Sequence, residues 1–203
     1  MVETDPQLDQ GRDCYERYSW SEARTLLLEA EQAAALGAED LERLATSCYM
    51  LGLEEDYARN LERAHRAHLE EADTLGAVRC AFWLGITLAL RGEMGQATGW
   101  IGRAQRMVER QESRCVEEGY LLLPVMLQQE ASGSYEAVQA TAARAIEIGE
   151  GFDDADLLAL ALHEQGRALA KQGRIDQGLG LLDEAMVAVV AGELEPIVTG
   201  LVY

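Results

Sequence analysis

The chain of 203 residues contains one lysine, three prolines and two phenylalanines, and basic residues are half as common as acidic ones. The lone lysine, Lys171, precedes Gln172, which excludes a phosphate-binding loop ending in Gly-Lys-Ser/Thr. Lys and Arg number 17 against 36 Asp and Glu, for a formal charge of −19. Nucleic-acid binding needs clustered cations that displace counterions, so that class is excluded for this segment, as is an anionic membrane surface. No uninterrupted apolar run reaches membrane-spanning length, and the acidic start Met1-Val2-Glu3-Thr4-Asp5-Pro6 lacks a signal-peptide core. A cytoplasmic location is expected. With so little proline and no alternating strand pattern, the fold is expected to be all-α.

Catalytic and metal-binding patterns are also scarce. The four cysteines, Cys14, Cys48, Cys80 and Cys115, have neither the paired spacing of a zinc site nor that of a disulfide framework. Cys14 and Cys48 read as small hydrophobes on packed helix faces. His163-Glu164 begins like a zinc-protease helix, but Arg167 stands where the second histidine belongs. His65 and His68, three apart, could share a metal, yet no third ligand lies at useful spacing, so they read as solvent-exposed. Carboxylate pairs such as Glu54-Glu55 and Asp153-Asp154 follow from composition, and no serine or cysteine occupies a recognisable nucleophile setting. No metal, no cofactor and no enzymatic activity are expected.

What the chain does have is a period. Ala30, Ala67, Ala104, Ala145 and Ala185 follow one another at 37, 37, 41 and 40 residues. Seven residues before each lies Ala23, Asn60, Ala97, Val138 or Gly178, and three before that a bulky residue: Trp20, Tyr57, Met94, Tyr135 or Ile175. Twelve residues before the small position lie Gly11, Cys48, Gly85, Met126 and Gly166. A fixed period of this length marks a helical solenoid, in which each helix pair buries its apolar face against its neighbours.

A Gly-containing turn, a bulky residue, then small residues three and ten further on resembles the second helix of a tetratricopeptide repeat. Gly92-Glu93-Met94-Gly95-Gln96-Ala97 closed by Ala104 fits best, followed by Ser134-Tyr135-Glu136-Ala137 with Ala145. Gly11, Gly85 and Gly166 match the glycine that lets the two helices of a repeat approach. Asn60, Val138 and Met126 depart from the small-residue pattern, and the units exceed the usual length of about 34 residues. More narrowly, the run Leu41 to Val108 resembles the repeat region of actinobacterial LuxR-type, helix-turn-helix transcriptional regulators. Leu44-Ala45-Thr46-Ser47-Cys48-Tyr49-Met50-Leu51-Gly52, Arg63-Ala64-His65-Arg66, Arg91-Gly92-Glu93 and Gly99-Trp100-Ile101 carry that likeness.

The expected architecture is a right-handed α-solenoid of about five tetratricopeptide-like helix hairpins. Their limits fall near residues 7–36, 38–73, 74–111, 113–149 and 153–191, with 195–203 starting a truncated sixth unit. Pro124 should kink the first helix of the fourth hairpin, and Asp153 or Asp154 should cap the fifth. The apolar ending Leu201-Val202-Tyr203 reads as a piece of a longer protein, with a homodimer contact through this C-terminal edge as the lesser expectation.

The resemblance implies that first helices line a concave groove. Its residues would be Arg12 and Tyr15, then Tyr49, then Arg79, Phe82 and Ile86, then Tyr120, Leu123 and Leu127, and finally His163 and Arg167. The middle is apolar, and Arg12, Arg79, Arg167 and Lys171 would give it cationic ends suited to a peptide or an amphipathic anionic small molecule. Close packing of longer helices against one another accounts for the same apolar residues. The implied function is a repeat scaffold binding a protein partner or small ligand, as the regulatory region of a LuxR-type regulator that reads DNA elsewhere. A free-standing adaptor for protein assembly is the alternative.

Overall fold

The computed structural model describes residues 6–203, and all regular structure among them is helical. In order these are α1 (Pro6–Glu16), α2 (Trp20–Ala33), α3 (Ala38–Met50), α4 (Glu54–Glu70), α5 (Thr74–Leu90) and α6 (Met94–Val108). They continue with α7 (Glu117–Tyr120), α8 (Leu123–Ala131), α9 (Tyr135–Phe152), α10 (Ala155–Lys171), α11 (Ile175–Ala191) and α12 (Pro196–Val202). The chain forms two compact units, Met1–Ala104 and Gln105–Tyr203, so that the division falls inside α6. In the first, α1 packs on α2, α2 on α3, α3 on α4 and α4 on α5. In the second, α9 packs against α8 and α10, α10 against α11, and the short α12 lies on α10 and α11.

Helix pairs close through one recurring turn. After α3, Gly52 takes the left-handed conformation at φ +72°, open to glycine without a Cβ clash. The Leu53 amide then donates to the Cys48 carbonyl at 2.9 Å, and Gly52 to Tyr49 at 2.9 Å, which satisfies carbonyls that the helix end leaves orphaned. The same six-residue bond joins Ser19 to Cys14 at 2.9 Å, Glu93 to Leu88 at 2.9 Å, Ser134 to Gln129 at 2.9 Å and Arg174 to Leu169 at 3.0 Å. In the first turn Tyr18 holds the left-handed position instead of glycine, and Ala72 does so between α4 and α5.

Among the five periodic alanines burial has one exception, while two of the bulky positions, Met94 and Ile175, are exposed. Ala30, Ala104, Ala145 and Ala185 are all buried. Ala67 is only half-buried, and α4 buries Ala64 instead. Its packed stripe runs through Tyr57, Leu61, Ala64, His65 and His68, which turns Ala67 to one side. The histidines expected at the surface are therefore core residues. Helix α5, apolar on nearly every face, buries ten of its residues. The fourth first-helix is interrupted rather than kinked: α7 ends at Tyr120 and α8 restarts at Leu123, with Pro124 in the first turn, where its missing amide hydrogen removes no helical bond. Asp154 caps α10 by accepting the Leu157 amide at 2.8 Å, while Asp153 closes α9 at φ +55°. No helix among the described residues is long and apolar enough to cross a membrane.

Candidate functional site

In the first unit, the first helices α1 and α3 are joined by charge. Arg12 donates to Asp40 from Nε at 2.8 Å and from Nη2 at 2.6 Å, and Arg43 adds a bond from Nη1 at 3.0 Å. The Asp40 side chain is 4% exposed. Burial alone would raise its carboxyl, but the Arg12 hydrogen bonds and the charges of Arg12 and Arg43 outweigh that and hold it below its ordinary value. The guanidinium planes match a carboxylate edge, so the arrangement is a clamp between consecutive repeats.

A second network gathers on α4. His68 points Nε2 at Glu42 Oε1 of α3, 2.6 Å away, and Cys80 of α5 donates its Sγ hydrogen to the same oxygen at 3.2 Å. The other ring nitrogen, Nδ1, lies 2.8 Å from Asp73 Oδ2, while Asp73 Oδ1 caps α5 by accepting the Gly76 amide at 2.9 Å. The Glu42 hydrogen bond raises the His68 imidazole above its usual value against the opposing effect of burial. Burial, reinforced by the Glu42 charge, pushes the Cys80 thiol up, so the free thiol is a poor nucleophile. One turn earlier, His65 Nδ1 meets the Ala77 carbonyl at 2.7 Å and its ring stands edge-on to Trp100, 5.2 Å between centroids. Desolvation lowers its imidazole, consistent with a neutral ring bonded to a carbonyl.

In the second unit, the first-helix elements α8 and α10 carry another ion cluster. Arg167 donates to Glu130 at 3.0 Å and to Glu164 at 3.0 Å, Lys171 also pairs with Glu130, and His163 Nδ1 lies 3.3 Å from Glu164. Burial would raise the Glu164 carboxyl, but His163 and Arg167 hold it down. Tyr120 donates its hydroxyl to Asp154 Oδ1 at 2.9 Å, which ties α7 to the cap of α10.

The residues expected to line a groove divide into two groups. Phe82, Ile86, Tyr120 and Leu123 are buried, Phe82 to 1% exposure, and pack inside the protein. Arg12, Tyr15, Tyr49, Leu127, His163 and Arg167 are half-buried, and Arg79 is exposed. Of the four expected cationic ends, Arg12, Arg167 and Lys171 are held by Asp40, Glu130 and Glu164, and Arg79 is exposed. Glu42 and Cys80 were invisible from the sequence as partners of His68, since they lie 26 residues before it and 12 after it. One signal existed: His65 and His68 follow Leu61 at four and seven residues, the spacing of a buried stripe.

No family model matches the chain, and no curated protein matches it in sequence. Solved structures do. The Rap conjugation gene regulator of the plasmid pLS20, in complex with the Phr* peptide, is 15% identical with a TM-score of 0.73 over 92% of this chain and 53% of that one. The apo quorum sensor NprR from B. thuringiensis is 14% identical with a TM-score of 0.67 over 97% of this chain and 56% of its own. A Podosopora anserina chain of nearly identical TPR-like repeats is 14% identical with a TM-score of 0.56, over 92% and 94%. The chain spans about half the length of the Rap and NprR structures it matches. At such low identity the likeness shows a fold, and that fold is the tetratricopeptide-like helical repeat.

Proposed function

We propose that this chain is a non-enzymatic repeat module that binds a peptide or protein partner on the faces of its first helices. The pairing of its cations carries the reading. Arg12, Arg167 and Lys171 are engaged by carboxylates, and the chain has 19 formal negative charges in excess. The chemistry favours a cationic or neutral peptide over an anionic small molecule. The Rap structure, which holds a peptide on the same fold, supports the class of partner. Tyr15, Tyr49 and Arg79 in the first unit and Leu127, His163 and Arg167 in the second are the contact candidates, each at least partly exposed. A fluorescence-polarisation screen of cationic, neutral and anionic peptides tests this. Binding should favour the cationic set and weaken with salt. Preference for anionic peptides, or none for any peptide, overturns it.

The finer reading is the repeat region of a LuxR-type regulator, supported by the resemblant run from Leu41 to Val108. On that reading base recognition belongs to a basic helix-turn-helix encoded beyond Tyr203, and this segment itself makes no nucleic-acid contact. Sequencing the reading frame past Tyr203 tests it, and a stop codon there favours the adaptor. The exposed apolar Val187, Val190 and Tyr203 support the homodimer contact at this end, which sedimentation of the chain tests.

A further inference from the structure

We propose that Glu42, His68 and Cys80 form a binding site for a divalent metal ion of the zinc class. Their donor atoms, a carboxylate oxygen, Nε2 and Sγ, all lie within 4.8 Å of one another although they come from three helices. Ligand atoms around a tetrahedral zinc stand about 3.3–3.8 Å apart, given bonds of about 2.0–2.3 Å, so small side-chain adjustments bring the three onto one ion. The donor set is diagnostic. Calcium and magnesium take oxygen ligands, whereas a mixture of thiolate, imidazole and carboxylate suits zinc. Binding releases the Cys80 proton to solvent, and the resulting thiolate with the Glu42 carboxylate offsets the two positive charges of the ion, leaving a neutral centre in a buried place.

The surroundings are those of a supported ligand. A metal-bound imidazole usually donates its other nitrogen to a carboxylate, which fixes ring orientation and strengthens the ligand. Asp73 Oδ2 lies 2.8 Å from that nitrogen of His68, an ion-pair approach in which no hydrogen bond is yet formed, and its other oxygen is fixed by capping α5. Gly76 completes the arrangement, since a Cβ there would overlap both His68 Nδ1 and Asp73 Oδ2. His68 and Cys80 are buried, but the Glu42 side chain is 33% exposed, so one of the three ligands reaches solvent. Two of the other thiols meet different company: Cys14 lies by Arg17 and Glu22, and Cys48 by Asn60.

Titration of the reduced chain with cobalt(II) tests the site. The expected result is a thiolate-to-cobalt charge-transfer band that saturates at one equivalent, is bleached by zinc, and accompanies a rise in melting temperature. Cys80→Ser should abolish the band, and Glu42→Gln, at a partly exposed position, should weaken cobalt binding at least about tenfold. Cys115→Ser should leave both unchanged. Absence of the band in the unmodified chain, or its persistence in Cys80→Ser, overturns the site. If Cys80→Ser does not fold, unchanged cobalt affinity in Glu42→Gln overturns it equally.

Discussion

Gly166 and Gly178 stand face to face, so that a methyl group on Gly166 would lie 2.8 Å from the Gly178 carbonyl oxygen, and one on Gly178 would lie 2.6 Å from that of Gly166. Both obstacles are backbone atoms, and relief requires α10 and α11 to move apart. Gly166→Ala should cost about 1–3 kcal/mol in chemical denaturation, and the double variant with Gly178→Ala should cost less than the sum, because one separation serves both. Full additivity would show that the two glycines do not share a contact.

Removing Arg12 should leave Asp40 buried with Arg43 alone. Arg12→Ala is expected to cost about 1.5–3 kcal/mol at neutral pH. Since the folded Asp40 carboxyl is held below its ordinary 3.8, its contribution is complete above that pH and is lost as the pH falls through the lower folded value. Urea melts along an acid series should therefore show a steeper loss for the unmodified chain than for Arg12→Ala.

Asp156 behaves in the opposite sense. Burial, together with the nearby charges of Glu195 and Asp154, raises its carboxyl from 3.8 to about 6, while its Oδ1 accepts the Glu195 amide at the start of α12 at 2.9 Å. A raised folded value stabilises below 3.8 and loses that contribution as the pH rises through about 6. Asp156→Asn keeps an acceptor oxygen and removes the charge. It should raise the melting temperature at neutral pH and flatten the difference between mildly acidic and neutral conditions; an unchanged difference would assign the pH dependence to other groups.

Ala72 occupies the left-handed region at φ +60°, where a Cβ is unfavourable by about 1–2 kcal/mol. Ala72→Gly should stabilise the chain by about 1 kcal/mol, less than the full strain because glycine gains freedom in the unfolded state. Differential scanning calorimetry resolves that shift.

Phe82→Ala should cost about 3–5 kcal/mol, as expected for a ring that is 1% exposed and edge-on to Trp83 at 5.0 Å. Tyr49→Ala, at a half-buried position, should cost less and weaken peptide binding more. Measuring both quantities for both variants separates packing from recognition. A reversed order would move recognition into the interior.

Helices and turns are legible where their causes are local: Gly92 marks a turn in the sequence and takes φ +78° in the structure. Ala67 and the histidines show the boundary of that method. A repeat register aligned on alanine assigned burial to Ala67, whereas the contacts of α4 with α3 and α5 gave it to Ala64, His65 and His68. The site was less readable still. Whether Arg12 or Arg167 faces a ligand or a carboxylate depends on Asp40 and Glu130, which lie 28 and 37 residues away. Pattern alone does not rank such partners in a chain with 36 acidic residues.

The recurring turn that closes the helix pairs bears on how the chain assembles. Its bond spans six residues, as from Leu53 to Cys48, and the helices it joins are immediate sequence neighbours. Little loop entropy must be surrendered before such contacts form, so relative contact order is low and hairpin formation should be fast. Nucleation can then begin at several places along the chain and spread by docking one hairpin on the next. The slow events should be those that no turn encodes, such as bringing Glu42, His68 and Cys80 together across three helices.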